Sequence, residues 1–467
     1  MIKNIFKLTI FALVLILALF LRKKNYAEIP IPGQSVDEYS YSWVGLSLIE
    51  TGMPIGISGI GGNQHSLFRY VNVDRFFQTV STGDPLEINY PWMDHPPLLG
   101  LITGSYAYLS GARVFEDTVT SIIRKPIIII STFSVMLLMI YCWINFNFIT
   151  AIIGGLLYST VPLVVLSSRM IQAENAIIPC LLGCMIFLSL YLKNKNSIFL
   201  FLTAILAGVA TLFKLTGIVC YLLTFFVLII EHKGLTKKFI NDLLFFLAVS
   251  VPISFLFVVY GSVYGMENFK NILFSNYNRF YGIGSSSILE LIRNQRLTQH
   301  KFLPEAAIIS GWMLFGYFLG KKETDKGLKI TLLGILSYLI IYIFFGSQPY
   351  GWYAFIFWPM LIILLAKFWA DGIRKGESLL LNFLISIIIL GAGINNLINV
   401  FEFQIFSNWW RFGISLLFFG LTVSLAFKNK FNIIWKLLLV LIFAGVIYLN
   451  VRYLNKINLD FWWQNIS

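Results

Sequence analysis

About thirteen apolar runs, each close to the ~20 residues a helix needs to cross the hydrocarbon of a bilayer, dominate this chain. They lie near 5–21, 121–143, 148–167, 173–192, 197–213, 215–231, 240–263, 303–320, 329–346, 353–370, 379–399, 409–427 and 432–450. Backbone polar groups in lipid must be satisfied within the segment, so runs of this length fold as helices. Composition agrees: 58% of the 467 residues are hydrophobic and 12% charged, against about 25% charged in a soluble domain. The sequence predicts an all-α integral membrane protein with about 11–13 transmembrane helices.

The net charge of +13 would suit a nucleic-acid binder, but the basic residues fall between apolar runs. Short connections carry "KNK", "EHKGLTKK", "KKETDKGLK", "KFWADGIRKGE" and a second "KNK". Basic residues in short loops mark the cytoplasmic side. That places the N-terminus inside the cell, in an inner or plasma membrane, and two long loops, 22–120 and 264–302, outside it. Arg22, Lys23 and Lys24 oppose this assignment, but they open a loop of about a hundred residues, where the rule is weak. No small-residue cleavage site follows the first run, so it reads as a retained anchor. The expectation is one polytopic membrane domain over 1–467, with no separate soluble domain. The four cysteines, Cys142, Cys180, Cys184 and Cys220, lie in or beside apolar runs and read as packing residues.

The ionisable residues of interest collect on the outer side. "GQSVDEYSYSWVGLSLIETGMP" has capping-box spacing from Ser35 to Glu38 and a stop at Gly52 and Pro54, which predicts an amphipathic helix on the outer membrane surface. Asp37 and Glu38 then occupy its first turn, where they either complement the helix dipole or do chemistry. In "YPWMDHPPLLG" the two prolines after His95 stiffen the backbone and hold that residue in a fixed direction beside Asp94, with a helix from Pro97 to about Ser110 closed by Gly111. Arg124 ends a span, Arg169 and Glu174 flank the turn "SSRMIQAEN", and Lys214 lies between two spans in "ATLFKLTG". Charges at membrane depth are costly, and they are structural pairs, snorkelling ends or functional groups.

An acidic pair after the first span, then "DHPPL" late in a long first outer loop, resembles the protein O-mannosyltransferases and their bacterial relatives that put aminoarabinose on lipid A. Both belong to the GT-C superfamily of integral-membrane glycosyltransferases. "GVATLFKLTGIVCYLL" and "SSRMIQAENAIIP" are similar to further stretches of that family, so the resemblance covers about the first 230 residues. It implies a GT-C fold with amphipathic juxtamembrane helices in a large first extracytoplasmic loop. It implies an inverting transfer of a hexose or pentose from a polyprenyl-phosphate carrier to a lipid, glycan or protein acceptor at the outer face of the bilayer, with no nucleic-acid partner. Asp37 would be the general base, with Glu38 capping or orienting it. Arg124 and Lys214 lead the candidates for the leaving phosphate, followed by His95 and Arg169, and Asp94 would position His95. No metal or other cofactor is required, and the residue pattern does not rule out a divalent ion. Two departures stand out: the arginine-then-acid stretch ends in Glu174 where the family usually has Asp, and no soluble β-rich domain interrupts the chain.

Two further stretches fit the same face. "SNYNRFYGIGSSS" carries Arg279 in the second outer loop, and "SQPYGWYAFIFWP" places Tyr353 at the outer interface. Either could contact acceptor or donor, and either could be an ordinary polar loop or aromatic belt. The competing function is a polytopic transporter or lipid flippase, which would place its polar groups in paired broken helices near the membrane midplane.

Overall fold

The computed structural model describes residues 2–34, 37–58, 66–73, 83–278, 286–293, 295–298, 301–321, 325–345, 350–401, 408–409, 411–416, 419–420, 432–459 and 462. The first run is helix α1 (Ile2–Lys23). After it come α2 (Asp37–Thr51), a hairpin of β1 (Ser66–Val73) and β2 (Asp84–Tyr90), α3 (Leu98–Leu109) and the single turn α4 (Thr120–Ile123). The other runs follow in order: α5 (Lys125–Asn145), α6 (Phe148–Thr160) with α7 (Pro162–Ser167), α8 (Ala173–Asn194), α9 (Ser197–Phe213) and α10 (Val219–Glu231). Beyond them lie α11 (Lys237–Tyr277), α12 (Ser286–Arg293), α13 (Ala306–Leu319), α14 (Lys326–Phe345), α15 (Phe357–Lys375), α16 (Leu379–Phe401) and α17 (Asn432–Lys456). Among the described residues seven helices are long and apolar enough to cross a membrane. Most of the run at 409–427, like Ser35, lies outside the described residues.

Local chemistry explains the breaks. Pro162 splits the run at 148–167, because the residue before it, Val161, is driven to extended geometry (φ −58°, ψ 117°). Asn147, Asn196 and Thr236 accept from the N–H groups of Thr150, Ile198 and Phe239 and so start α6, α9 and α11. Gly52, at φ +73°, ends α2, and Gly111, at φ +102°, follows the end of α3, both where the turn chemistry predicts.

Three features depart from the sequence reading. The antiparallel β1–β2 hairpin, with Ser66 opposite Tyr90 and Val73 opposite Asp84, is a small strand pair in a chain expected to be all helix. Helix α2 does not present a wet face: every residue from Glu38 to Ser47 is buried, the serines included. It crosses α3 backbone to backbone, because a Cβ on Gly45 would sit 1.7 Å from the carbonyl oxygen of Gly100. Helix α11 continues past the expected end of its run near 263, turning at Gly265 (φ +119°, ψ 98°).

Candidate active site

Asp37 and Glu38 share the first turn of α2 and face different partners. Glu38 is fully buried, and Arg124 grips it through two parallel bonds, Nε to Oε1 at 2.9 Å and Nη2 to Oε2 at 2.7 Å. The N–H of Ile171 adds a third donor at 2.9 Å. Arg124 spends its remaining nitrogen, Nη1, on the carbonyls of Tyr26 and Pro30. All three guanidinium nitrogens are thus bonded, and Arg124 ties the first turn of α2 to the start of α5.

Arg169 also points into the protein. Its Nη1 and Nη2 donate to the carbonyls of Ile29 and Leu21 at 3.0 and 2.7 Å. Burial, together with the guanidiniums of Arg124 and Arg22, pulls Arg169 down to about 9. Both arginines were expected at a phosphate. In this structure both donate to carbonyl oxygens left over where helices and turns end.

Lys214 is the cation that meets an acid across the site. Breaking the chain between α9 and the 3₁₀ turn Leu215–Ile218, it adopts extended geometry (φ −164°, ψ 149°). Its Nζ donates to Glu174 Oε1 at 2.7 Å and lies 4.1 Å from the centre of the Tyr353 ring. Burial pulls Lys214 down, but Glu174, Tyr353 and Asp37 outweigh it and hold the ammonium above its ordinary value. Glu174 is fully buried, and its second oxygen has no hydrogen-bond partner among the described residues.

Tyr41, one turn after Asp37 on α2, links this pair to the histidine turn, and the sequence reading missed it. Its ring stacks on His95 at 5.9 Å and 22° and meets Trp92 edge-on at 5.8 Å. Its buried hydroxyl has no hydrogen-bond partner among the described residues. Burial, then the charges of Asp37 and Glu174, push the phenol well above its ordinary value, with Tyr353 and Asp94 acting the same way. The i, i+4 spacing from Asp37 was the available signal, since residues so spaced share a helix face. Asp94 accepts from the Ser58 hydroxyl at 2.9 Å on both carboxylate oxygens. The site therefore gathers Asp37, Tyr41, Asp94, His95, Glu174, Lys214 and Tyr353. Arg279 lies outside the described residues. Among the described residues no three His, Cys, Asp or Glu side chains are grouped to hold a metal ion.

An apolar groove of about 550 Å³ is lined by Thr211 and Leu215, on either side of Lys214 in the chain. Leu215, Ile218 and Leu222 form one side, with Val251 of α11 and Ile341 and Phe344 of α14 opposite. Its polar atoms are paired with one another: Ser254 Oγ lies 2.7 Å from the Thr211 hydroxyl and 2.6 Å from that of Tyr221.

Residues 94–258 match the family model described as dolichyl-phosphate-mannose-protein mannosyltransferase. The chain also superposes on the crystal structure of ArnT from Cupriavidus metallidurans bound to undecaprenyl phosphate, with a TM-score of 0.50 and 13% identity over 97% of this chain and 77% of that one. For the apo oligosaccharyltransferase of Archaeoglobus fulgidus the TM-score is 0.55 at 12% identity, covering 100% of this chain and 59% of the longer one. Comparison with curated proteins returned no match. The chain shares the fold of these two structures, the GT-C fold expected from the sequence. The segment similar to the mannosyltransferase model opens on Asp94 and takes in Arg124, Arg169, Glu174 and Lys214.

Proposed function

We propose that this protein is an inverting glycosyltransferase that takes a hexose or pentose from a polyprenyl-phosphate carrier and hands it to an acceptor at the extracytoplasmic face of an inner or plasma membrane. The observation that carries the reading is the convergence of Asp37 and the buried Lys214–Glu174 pair, with an apolar groove lined by Leu215, the residue after Lys214. A lipid phosphate has the matching shape, an anionic head on an apolar chain. ArnT, with the same fold, was crystallised with undecaprenyl phosphate.

In this reading the isoprenoid chain lies in the groove and its phosphate comes to Lys214 and His95. Negative charge grows on the bridging oxygen as the sugar C1–O bond breaks, and cations already in place lower that barrier. Asp37 accepts the proton of the acceptor hydroxyl or amine as it attacks C1 from the opposite side, which inverts the anomeric centre. The leaving group is a phosphodiester becoming a monoester and needs no general acid. Tyr41 and the second oxygen of Glu174 offer a buried donor and a buried acceptor, complementary to sugar hydroxyls. Leaving such groups unpaired costs about 1–3 kcal/mol each, a cost a bound sugar would relieve.

The acceptor is a lipid, glycan or protein, approached from outside the cell, with the N-terminus in the cytoplasm. A transporter or flippase is the poorer fit, because the ionisable groups gather where helices end instead of in paired midspan breaks. The deciding experiment is incubation of the purified protein with a panel of polyprenyl-phosphate sugars, with donor consumption read by mass spectrometry. Consumption that disappears in Asp37→Asn is the expected result, and a variant as active as wild type overturns the assignment.

A further inference from the structure

The Asp94–His95 turn is held from two sides, and only one of them belongs to its own part of the chain. On the near side Ser58 binds the Asp94 carboxylate, Trp92 Nε1 donates to the Ile57 carbonyl at 3.0 Å, and Tyr41 stacks on His95. On the far side is α11. Tyr260 donates its hydroxyl to the Trp92 carbonyl at 2.6 Å, and Asn276 donates its side-chain amide to the Asp94 carbonyl at 2.9 Å, across 182 positions of sequence. Between these bonds Met93, with no exposed surface, is packed against Phe257, Phe269 and Ile272 of the same helix.

The two donors stand on opposite sides of the break at Gly265, and the break is what lets both reach one turn. Gly265 takes φ +119°, a conformation that side chains disfavour. Gly261, four residues earlier, leaves the space into which the Phe269 ring folds back, since a Cβ there would lie 2.3 Å from that ring. Phe269 then meets Phe257 edge-on at 5.0 Å. A straight α11 would carry Asn276 away from Tyr260 along the helix axis and give up one of the two bonds.

We propose that Asn276 and Tyr260 are positioning residues that set the direction of the Asp94–His95 turn, with the Gly265 break as the feature that brings them together. The catalytic consequence rests on the role given above to His95 and Asp94. The clamp itself does not, so the two are tested separately.

The full-length protein in nanodiscs is examined by amide hydrogen exchange. The Asn276→Asp variant keeps the shape of the side chain but removes its donor. The expected result is exchange about tenfold faster at the amides of Trp92 to His95, the loss of roughly one hydrogen bond, with the unfolding midpoint and the exchange of α8 unchanged. The Tyr260→Phe variant gives a smaller increase at the same amides, and Asn276→Gln, which retains the donor, recovers part of the protection. With a donor that the wild type consumes, Asn276→Asp lowers kcat about tenfold and leaves KM for the donor within about twofold. Wild-type exchange at Trp92–His95 in both Asn276→Asp and Tyr260→Phe overturns the clamp, whatever the wild type does with donors. Faster exchange with unchanged kcat overturns the positioning role. A wild type that consumes no donor at all, with the turn loosened as expected, overturns the reaction and leaves the clamp standing.

Discussion

Glu38 and Arg124 form a fully buried, two-pronged ion pair between the first turn of α2 and the residue that joins α4 to α5. Breaking such a pair strands a charge in a site that no water reaches, at a cost of roughly 3–5 kcal/mol. Arg124→Ala and Glu38→Ala should each lower the unfolding midpoint sharply in detergent. The double variant should be less destabilised than the sum of the two, with a coupling above about 1 kcal/mol. A folded, stable Arg124→Ala protein that has lost only its affinity for donor would return Arg124 to the phosphate site.

Asp37 occupies the same turn but is only half-buried, and its charge reaches Lys214 and Tyr41. If it served only the helix dipole, neutralising it would cost under about 1 kcal/mol and leave turnover intact. As a general base it is worth about 10²–10⁴ in rate. Asp37→Asn is therefore expected to unfold at the wild-type temperature within that small margin while donor turnover falls at least a hundredfold. Stability and turnover measured on the same preparation separate the two roles.

Lys214 and Glu174 can be taken apart in the same manner. Lys214→Met alone leaves a buried carboxylate with no cation and should destabilise the protein strongly. Adding Glu174→Gln removes the stranded charge and should restore most of the stability. Turnover should not return, since the phosphate has lost a charged donor worth about 1.5–3 kcal/mol. A double variant that regains wild-type turnover would make the pair structural and remove Lys214 from the proposed phosphate site.

The apolar runs made the helices legible, because bilayer length and backbone satisfaction leave little choice. Charges were harder to read. Arg22 counts against the expected orientation, yet it is fully buried and donates to the Tyr158 carbonyl at the end of α6 and to the Ala18 carbonyl one turn back. A loop count treats it as a surface charge, although it behaves as a cap on helix ends. Arg124 and Lys214 looked alike in sequence, each a lone cation where a span ends. What separates them is the partner, Glu38 at 86 positions' distance and Glu174 at 40, and no local pattern carries that information. Hydropathy falls at "GMENFKN" and ends the apolar run near 263, whereas the backbone turns at Gly265 and resumes the helix. Tyr41 was readable from its spacing to Asp37, whereas Ser58 and Asn276 reach Asp94 only through tertiary structure.

Glu305 supplies a prediction about pH that does not depend on catalysis. It precedes α13, is 7% exposed, and donates its backbone N–H to Gln295 Oε1 at 2.7 Å. Burial pushes its carboxyl from 4.5 up to about 8, against a smaller downward pull from the N–H of Leu163. Between those two values the native protein keeps a proton that the unfolded chain has released. Stability contributed by this group is then fully present below about pH 4.5 and falls as pH climbs toward about 8, by at most ~1.4 kcal/mol per pH unit, before levelling off. Glu305→Gln stays neutral throughout and should flatten that part of the curve, gaining most over wild type at pH 8. Unfolding midpoints of the two proteins measured from pH 5 to pH 9 decide the matter: curves that stay parallel would show that Glu305 releases its proton in both states at the same pH.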